Sequence, residues 1–140
     1  MPDVFEGKGS CLCGAVHFKA SNASKSVGAC HCGMCRKWVG GPLIVVPCNS
    51  EVSFEGEENI SVFNSSDWAE RGFCKLCGSH LFYRLKVNRH HFIPAGLFED
   101  QKGFIFARQA YIDKKPPYYS FANKTSNITE AEAVERFGAS

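Results

Sequence analysis

No stretch of this 140-residue chain approaches the roughly 20 apolar residues that a membrane-spanning helix needs. The opening residues, MPDVFEGKGS, show no signal peptide. The expectation is a protein that neither crosses nor associates with a membrane and works in a reducing, cytoplasmic compartment. No basic stripe or tail is present: 16 lysines and arginines are scattered among 14 acids. The electrostatic footprint of nucleic-acid binding is therefore missing. There is no Ser-His-Asp grouping, no P-loop and no dinucleotide glycine motif. No linker, repeat or low-complexity segment divides the chain, so residues 1–140 read as one domain with a core of its own.

Cysteine is abundant: the chain has eight. In a reducing compartment clustered cysteines mean metal binding or catalysis rather than disulfides, and the Asn-x-Ser/Thr matches at Asn22, Asn59, Asn64, Asn123 and Asn127 are incidental. Formal charge is +2 with thiols counted neutral. Thiolates around two zinc ions would leave the chain close to neutral.

Short alternating segments predict a mainly β fold of antiparallel strands. AVHFKA (15–20) sets Val16 and Phe18 against His17 and Lys19, the period of a half-buried strand. Strands are likewise expected at 27–32, 42–47, 51–56, 59–64, 68–73, 79–86, 90–95 and 104–112. Turns fall at Asn22–Ser26, Asn49–Ser50 and Glu99–Gly103. A short helical turn is expected from Met34 to Trp38. A closing helix starts from a capping box, Thr129 with Glu132, and stops at Gly138.

Apart from Cys48, the cysteines form three groups: Cys11-x-Cys13, Cys30-x-Cys32-x-x-Cys35 and Cys74-x-x-Cys77. Residues i and i+2 of a strand share a face, so each C-x-C offers two sulfurs to one ion. A C-x-x-C knuckle does the same through a turn. Structural zinc sites are closed, tetrahedral and usually built from two such pairs far apart in sequence. Cys11, Cys13, Cys74 and Cys77 make one such site, expected to clamp the first strand to the hairpin starting at Phe73. Cys30, Cys32 and Cys35 are left as a tripod with a free fourth position, the arrangement of a catalytic zinc. Two alternatives stay open: Cys48 closing the tripod, or a different pairing of 30/32/35 with 11/13.

The order CLCGAV, then CHCGMCRKWVGG, then FCKLCGSHLFYR resembles the glutathione-dependent formaldehyde-activating family, which includes vertebrate centromere protein V. The likeness runs from about Gly9 to the C-terminal helix and takes in AGLFED and YIDKKPPYY. It implies a β-tent type zinc fold, a structural zinc on Cys11, Cys13, Cys74 and Cys77, and a second zinc on Cys30, Cys32 and Cys35. It also implies the condensation of formaldehyde with glutathione to S-(hydroxymethyl)glutathione, formally a carbon–sulfur lyase reaction. Capture of a thiol at the open corner suits a zinc with three thiolates better than carbonyl polarisation, because its net negative charge weakens it as a Lewis acid. The other class of reading is a non-catalytic, zinc-scaffolded binding module.

Other residues carry weaker signals. His31, between two ligands, is expected on the opposite face, supporting the site or on the surface. Arg36 and Lys37 either offset thiolate charge or are solvated. Trp38 with Gly40 and Gly41 shapes a pocket wall or packs in the core. His80 either bonds near a sulfur or rides its strand, and His90 and His91 face opposite ways. Asp67 and Trp68 shape a turn. Phe63, Phe82, Tyr83, Phe92, Phe98, Phe104 and Phe106 read mostly as core. Glu99 and Asp100 end a strand or move protons near the tripod, and Tyr118 and Tyr119 rim a cleft.

Overall fold

The computed structural model describes residues 4–137. The chain is mainly β. A three-stranded antiparallel sheet has the order β1 (Val4–Ser10), β2 (His17–Ser24), β5 (Val52–Glu55). A larger, mixed sheet contains β3 (Ser26–Cys30), β4 (Leu43–Asn49), β6 (Ile60–Phe63), β7 (Ala69–Cys74), β8 (His80–Leu85), β9 (His91–Pro94), β10 (Ile105–Ala110) and β11 (Ser126–Ile128). Its order is β11-β10-β3-β4-β9-β8-β7-β6, with β10 parallel to both neighbours and every other pairing antiparallel.

The sheets pack face to face. Phe18 and Ala20 from one, with Val16 just before β2, meet Val46, Leu81, Phe82 and Ile93 from the other in the main core. β4 shows how one strand serves both faces of the large sheet: Val46 and Cys48 point into this core, while Leu43 and Val45 belong to a second cluster. That cluster holds Cys32, Cys35, Tyr111, Ile128 and Ala133, the last from α2 (Glu130–Phe137).

Sequence periodicity finds most of these strands but misplaces several ends. β1 and β11 are not foreseen; β1 is rich in glycine and charge, and β11 has three residues. Gly9 of β1 lies so close to the neighbouring chain that a Cβ there would meet the Leu97 carbonyl oxygen. The expected turn at 22–26 shrinks to a bend at Lys25, because β2 runs on to Ser24 and β3 starts at Ser26, carrying the chain from one sheet to the other. The strand expected over 27–32 ends at Cys30, and that over 104–112 ends at Ala110. Tyr111 then takes a left-handed φ of 57° into a 3₁₀ turn.

Both helices appear. α1 (Gly33–Val39) is a little longer than expected and closes on Gly40, whose φ of 85° suits a residue without a Cβ. The capping box of α2 is made in full. Thr129 N–H donates to Glu132 Oε1 at 2.9 Å, and Glu132 N–H donates to Thr129 Oγ1 at 3.2 Å. Gly138, the expected stop, lies outside the described residues. Among the described residues no helix is long and apolar enough to cross a membrane.

Candidate metal centres

The first cysteine cluster joins two hairpin turns. Cys11 and Cys13 lie in the β1–β2 turn, not on a strand as the i, i+2 argument assumed, and Cys74 and Cys77 lie at the β7–β8 turn. Each turn is closed by its own backbone: Gly14 N–H donates to the Cys11 carbonyl, and Gly78 N–H to the Cys74 carbonyl at 2.7 Å. Gly14 and Gly78 have φ values of 81° and 80°, so both knuckles end on a glycine in the left-handed region. The cluster thus joins the end of the first strand to the β7–β8 hairpin, and with it the small sheet to the large one.

Its sulfurs have the spacing a tetrahedral ion requires. Zinc bonds thiolate at about 2.3 Å, which places tetrahedral sulfurs about 3.8 Å apart. Cys11 and Cys13 Sγ are 3.7 Å apart, and Cys13 and Cys74 Sγ 3.8 Å. All four lie within 4.8 Å of one another. Ser79, which drew no notice in the sequence, bridges the turns. Its hydroxyl accepts from Leu12 N–H at 3.1 Å and lies 3.2 Å from Cys77 Sγ. Hydrogen bonds from the Ser79 side chain and backbone bring the Cys77 thiol down to about 5. This sulfur is ready to bind as thiolate.

The second cluster is local. β3 delivers Cys30 at its end, Cys32 is the N-cap of α1, and Cys35 sits in its first turn. Cys35 N–H donates to Cys32 Sγ at 3.3 Å, so the cap and the ligand geometry are one feature. The three sulfurs lie within 4.8 Å of one another, and among the described residues no fourth His, Cys, Asp or Glu joins them. Cys48 is not near: its thiol donates to the Val46 carbonyl inside the main core, and burial pushes it up to about 12.

Packed together, Cys30 and Cys35 hold their protons. Hydrogen bonds to Cys32 and Cys35 drive Cys30 far above the usual thiol range. Cys35 is pulled down by Cys30, but Cys32 and burial outweigh this and raise it to about 11. A divalent cation reverses that balance, since it can share the charge of three thiolates that otherwise repel. Both donor sets therefore suit a soft-ligand metal ion.

One residue missed in the sequence stands beside the tripod. Arg71 on β7 is 1% exposed, and its two terminal nitrogens lie 3.7 and 3.8 Å from Cys35 Sγ. Its guanidinium is held over the rings of Tyr83 at 4.9 Å and Trp38 at 5.9 Å. Among the described residues it pairs with no carboxylate. A buried cation without an anion is costly, and the tripod sulfurs are the anion within reach. The available signal was an arginine at an alternating position of WAERGF, in step with Ala69.

His31 is fully buried rather than on a surface. Its Nε2–H donates to Gln109 Oε1 at 2.7 Å, which leaves Nδ1 to accept from the Tyr119 hydroxyl at 2.8 Å. Burial lowers its pKa and favours this neutral form. Gln109 in turn donates to Thr125 Oγ1. The tripod backbone is thereby moored to the C-terminal segment, and Arg36 Nε adds a bond to the His31 carbonyl at 2.9 Å. Lys37 is exposed.

Trp38 stacks on Phe63 and meets His80 edge-on. The His80 ring nitrogens are buried without a partner, so this residue packs rather than bonding a sulfur. His91 is buried, while His90 is half-buried at the hairpin turn. Asp67 and Trp68 do lie in a turn. Tyr118 is exposed, and only Tyr119 reaches the site, through His31. Glu99 and Asp100 lie in a loop against the small sheet, where Glu99 N–H meets the Lys8 carbonyl. Neither lines the cleft that adjoins the tripod.

That cleft has a volume of about 120 Å³ and is walled by Cys30, Cys35, Leu43, Val45, Leu85, Phe92 and a few further residues. Two cysteine clusters of this kind, one of four sulfurs and one of three beside a cleft, define a cysteine-rich protein with two candidate metal sites. Comparison with known proteins narrows the class. Residues 6–114 match the family model of the glutathione-dependent formaldehyde-activating enzyme. A Schizosaccharomyces pombe protein described as an uncharacterized lyase is 39% identical over 131 residues, covering 93% of this chain and 96% of its own length. A crystal structure of a Rhodobacter sphaeroides protein is similar with a TM-score of 0.57 and 26% identity, over 66% of this chain and 87% of that one. The chain belongs to the glutathione-dependent formaldehyde-activating enzyme family.

Proposed function

We propose that this protein is a zinc-dependent carbon–sulfur lyase that forms or cleaves a thiol–aldehyde adduct of the S-(hydroxymethyl)glutathione type, in the cytoplasm. The family membership and the lyase-named relative support a formaldehyde-activating or lyase role. The observation that carries the reading is the three-sulfur cluster without a fourth donor among the described residues, placed at the wall of an apolar cleft. In the forward direction the thiol S–H adds across the aldehyde C=O. A carbon–sulfur bond forms, the π bond breaks and the proton passes to oxygen; cleavage is the reverse.

Cys30, Cys32 and Cys35 would hold the catalytic zinc, and Cys11, Cys13, Cys74 and Cys77 the structural one. A zinc ion held there would favour a bound thiol in its thiolate form. The rest falls to the protein. Arg71 balances the sulfur charge from the side of Cys35. His31, Gln109 and Tyr119 hold the Cys30–Cys32 backbone in place. The apolar walls keep water from the reacting carbon. No carboxylate or imidazole lines the cleft among the described residues. Addition of a thiol to formaldehyde asks mainly for proximity, which a positioning site provides.

The test is exchange between formaldehyde, glutathione and their adduct, followed by magnetisation transfer in the NMR spectrum. The parent should exchange faster than buffer, and Cys35→Ser should return to the buffer rate with its fold intact. Equal rates for parent and buffer across several thiols would remove the lyase reading.

A further inference from the structure

Arg71 is built into the large sheet where aromatic side chains hold it in place. In the register of β6, β7 and β8 it stands between Phe63 and Tyr83, its direct cross-strand partners. Partners in such a row share a face and lie about 5 Å apart. Trp38, one turn after Cys35 on α1, stacks on Phe63 at a centroid distance of 5.9 Å and an interplanar angle of 11°. The guanidinium lies between the Trp38 and Tyr83 rings, with both terminal nitrogens within 3.8 Å of Cys35 Sγ. Strand pairing and stacking leave it little freedom to move away from that sulfur.

This cation works from behind the cleft wall. Cys35 and Tyr83 line the cleft and Arg71 does not, so a ligand there feels the charge through Cys35 rather than by contact. The two cysteine clusters differ in this respect. In the tetrad Cys13 is exposed and Cys77 half-buried, so water screens the charge of four thiolates. Among the described residues no cationic side chain bonds a tetrad sulfur. In the tripod Cys32 and Cys35 are only 4% and 3% exposed. Water screens them poorly, and in that low dielectric a nearby charge counts several times more than at the surface.

Three thiolates around a divalent cation carry one net negative charge, and a fourth thiolate raises it to two. An incoming anion is therefore repelled, while a neutral ligand is not. The Arg71 charge cancels one of these negative charges. Its N–H groups also draw electron density from Cys35, which leaves a bound ion a better acceptor. Resting on the lyase reading above for the nature of the ligand, we propose that Arg71 is the positioning residue that makes a tripod ion take an anionic sulfur in preference to a neutral donor. Without this cation the fourth ligand would be water or another neutral group.

The test uses the cobalt-loaded full-length chain and reads the visible absorption that Cys32→Ser removes. Two ligands are titrated at one pH: 2-mercaptoethanol, which binds as an anion, and imidazole, which binds neutral. The parent should take the thiol more tightly than imidazole. Arg71→Met should lower the thiol-to-imidazole affinity ratio roughly tenfold or more, the range for a charged hydrogen-bonded pair, with imidazole affinity unchanged. Arg71→Lys should restore part of the ratio, and Arg71→Gln supplies a second neutral variant should the methionine chain not fold. A parent that prefers imidazole, a ratio unchanged in the neutral variants, or an equal loss of both ligands would each overturn the proposal. Adduct exchange with formaldehyde is followed separately. A collapsed ratio without catalysed exchange in the parent would keep the role of Arg71 and remove the lyase; catalysed exchange with an unchanged ratio would do the reverse.

Discussion

The two cysteine clusters solve different problems with the same side chain. The tetrad draws its sulfurs from two hairpin turns, with Cys13 and Cys74 separated by 61 residues, and those turns belong to different sheets. The tripod takes all three from Cys30 to Cys35, a strand end and the first turn of a helix. An ion in the first closes a long loop and holds two layers together, so its binding energy is folding energy. An ion in the second fastens residues that the backbone, the α1 cap and the His31 bonds already hold close. Separation in sequence distinguishes a structural site from one that can afford an open corner.

The largest effect should come from opening the tetrad. Cys74→Ser is expected to abolish the cooperative thermal transition followed by circular dichroism, or to deny soluble protein altogether. A Cys74→Ser chain that melts like the parent would break the contrast. Opening the tripod should do less. Cys32→Ser keeps an oxygen at the α1 N-cap, where serine caps well, so it should fold and melt near the parent temperature. Metal analysis should fall from two zinc ions per chain to one.

Arg71 sharpens the contrast further. Replacing it with methionine removes the cation beside Cys35 and makes the tripod thiolates harder to form. Zinc affinity of the tripod should drop roughly tenfold or more and its pH midpoint should move upward, while the tetrad ion is unaffected. Competition with a chromophoric chelator at several pH values reads both. Ser79→Ala acts on the other cluster. It removes the hydroxyl shared by the two turns and should cost about 1 kcal/mol in denaturant unfolding, without changing metal count.

The smallest effect is a baseline that any acid comparison of the clusters must subtract. Burial, aided by the charge of Arg84, lowers the pKa of His91 from 6.5 to about 4. The unfolded chain therefore binds this proton more readily than the folded one. The contribution is fully present above pH 6.5, is lost as pH falls towards about 4, and is level below that. His91→Phe should reduce the slope of this part of the stability–pH curve, measured by urea titration, and leave the parallel share of His80, which burial also lowers to about 4, and the steeper losses from the metal sites.

Much of this was legible from residue spacing. The partition of seven cysteines into four and three, the capping box at Thr129 and the alternation of most strands rest on local rules that hold in any surroundings. The errors came where surroundings decide. β1 holds its place although its glycines and charges argue against a strand, because Phe98 and Leu97 pack onto the space its glycines leave. The Cys11-x-Cys13 pair turned out to lie in a turn rather than on a strand, since a knuckle ending on a left-handed glycine brings sulfurs together as well as a shared face does. Whether His31 supports the site or lies on the surface is decided only when Gln109 and Tyr119 arrive from nearly 80 and 90 residues away.

The sequence by itself determined which cysteines can share an ion, because ligand spacing and backbone period are local. It also determined the family, because the order of those spacings is specific. Only the tertiary structure decided what stands around the tripod. Arg71 comes from β7 and looks like an ordinary strand charge in the linear chain. Pairing of distant strands brings it against Cys35, and burial turns a solvated cation into a group that needs an anion.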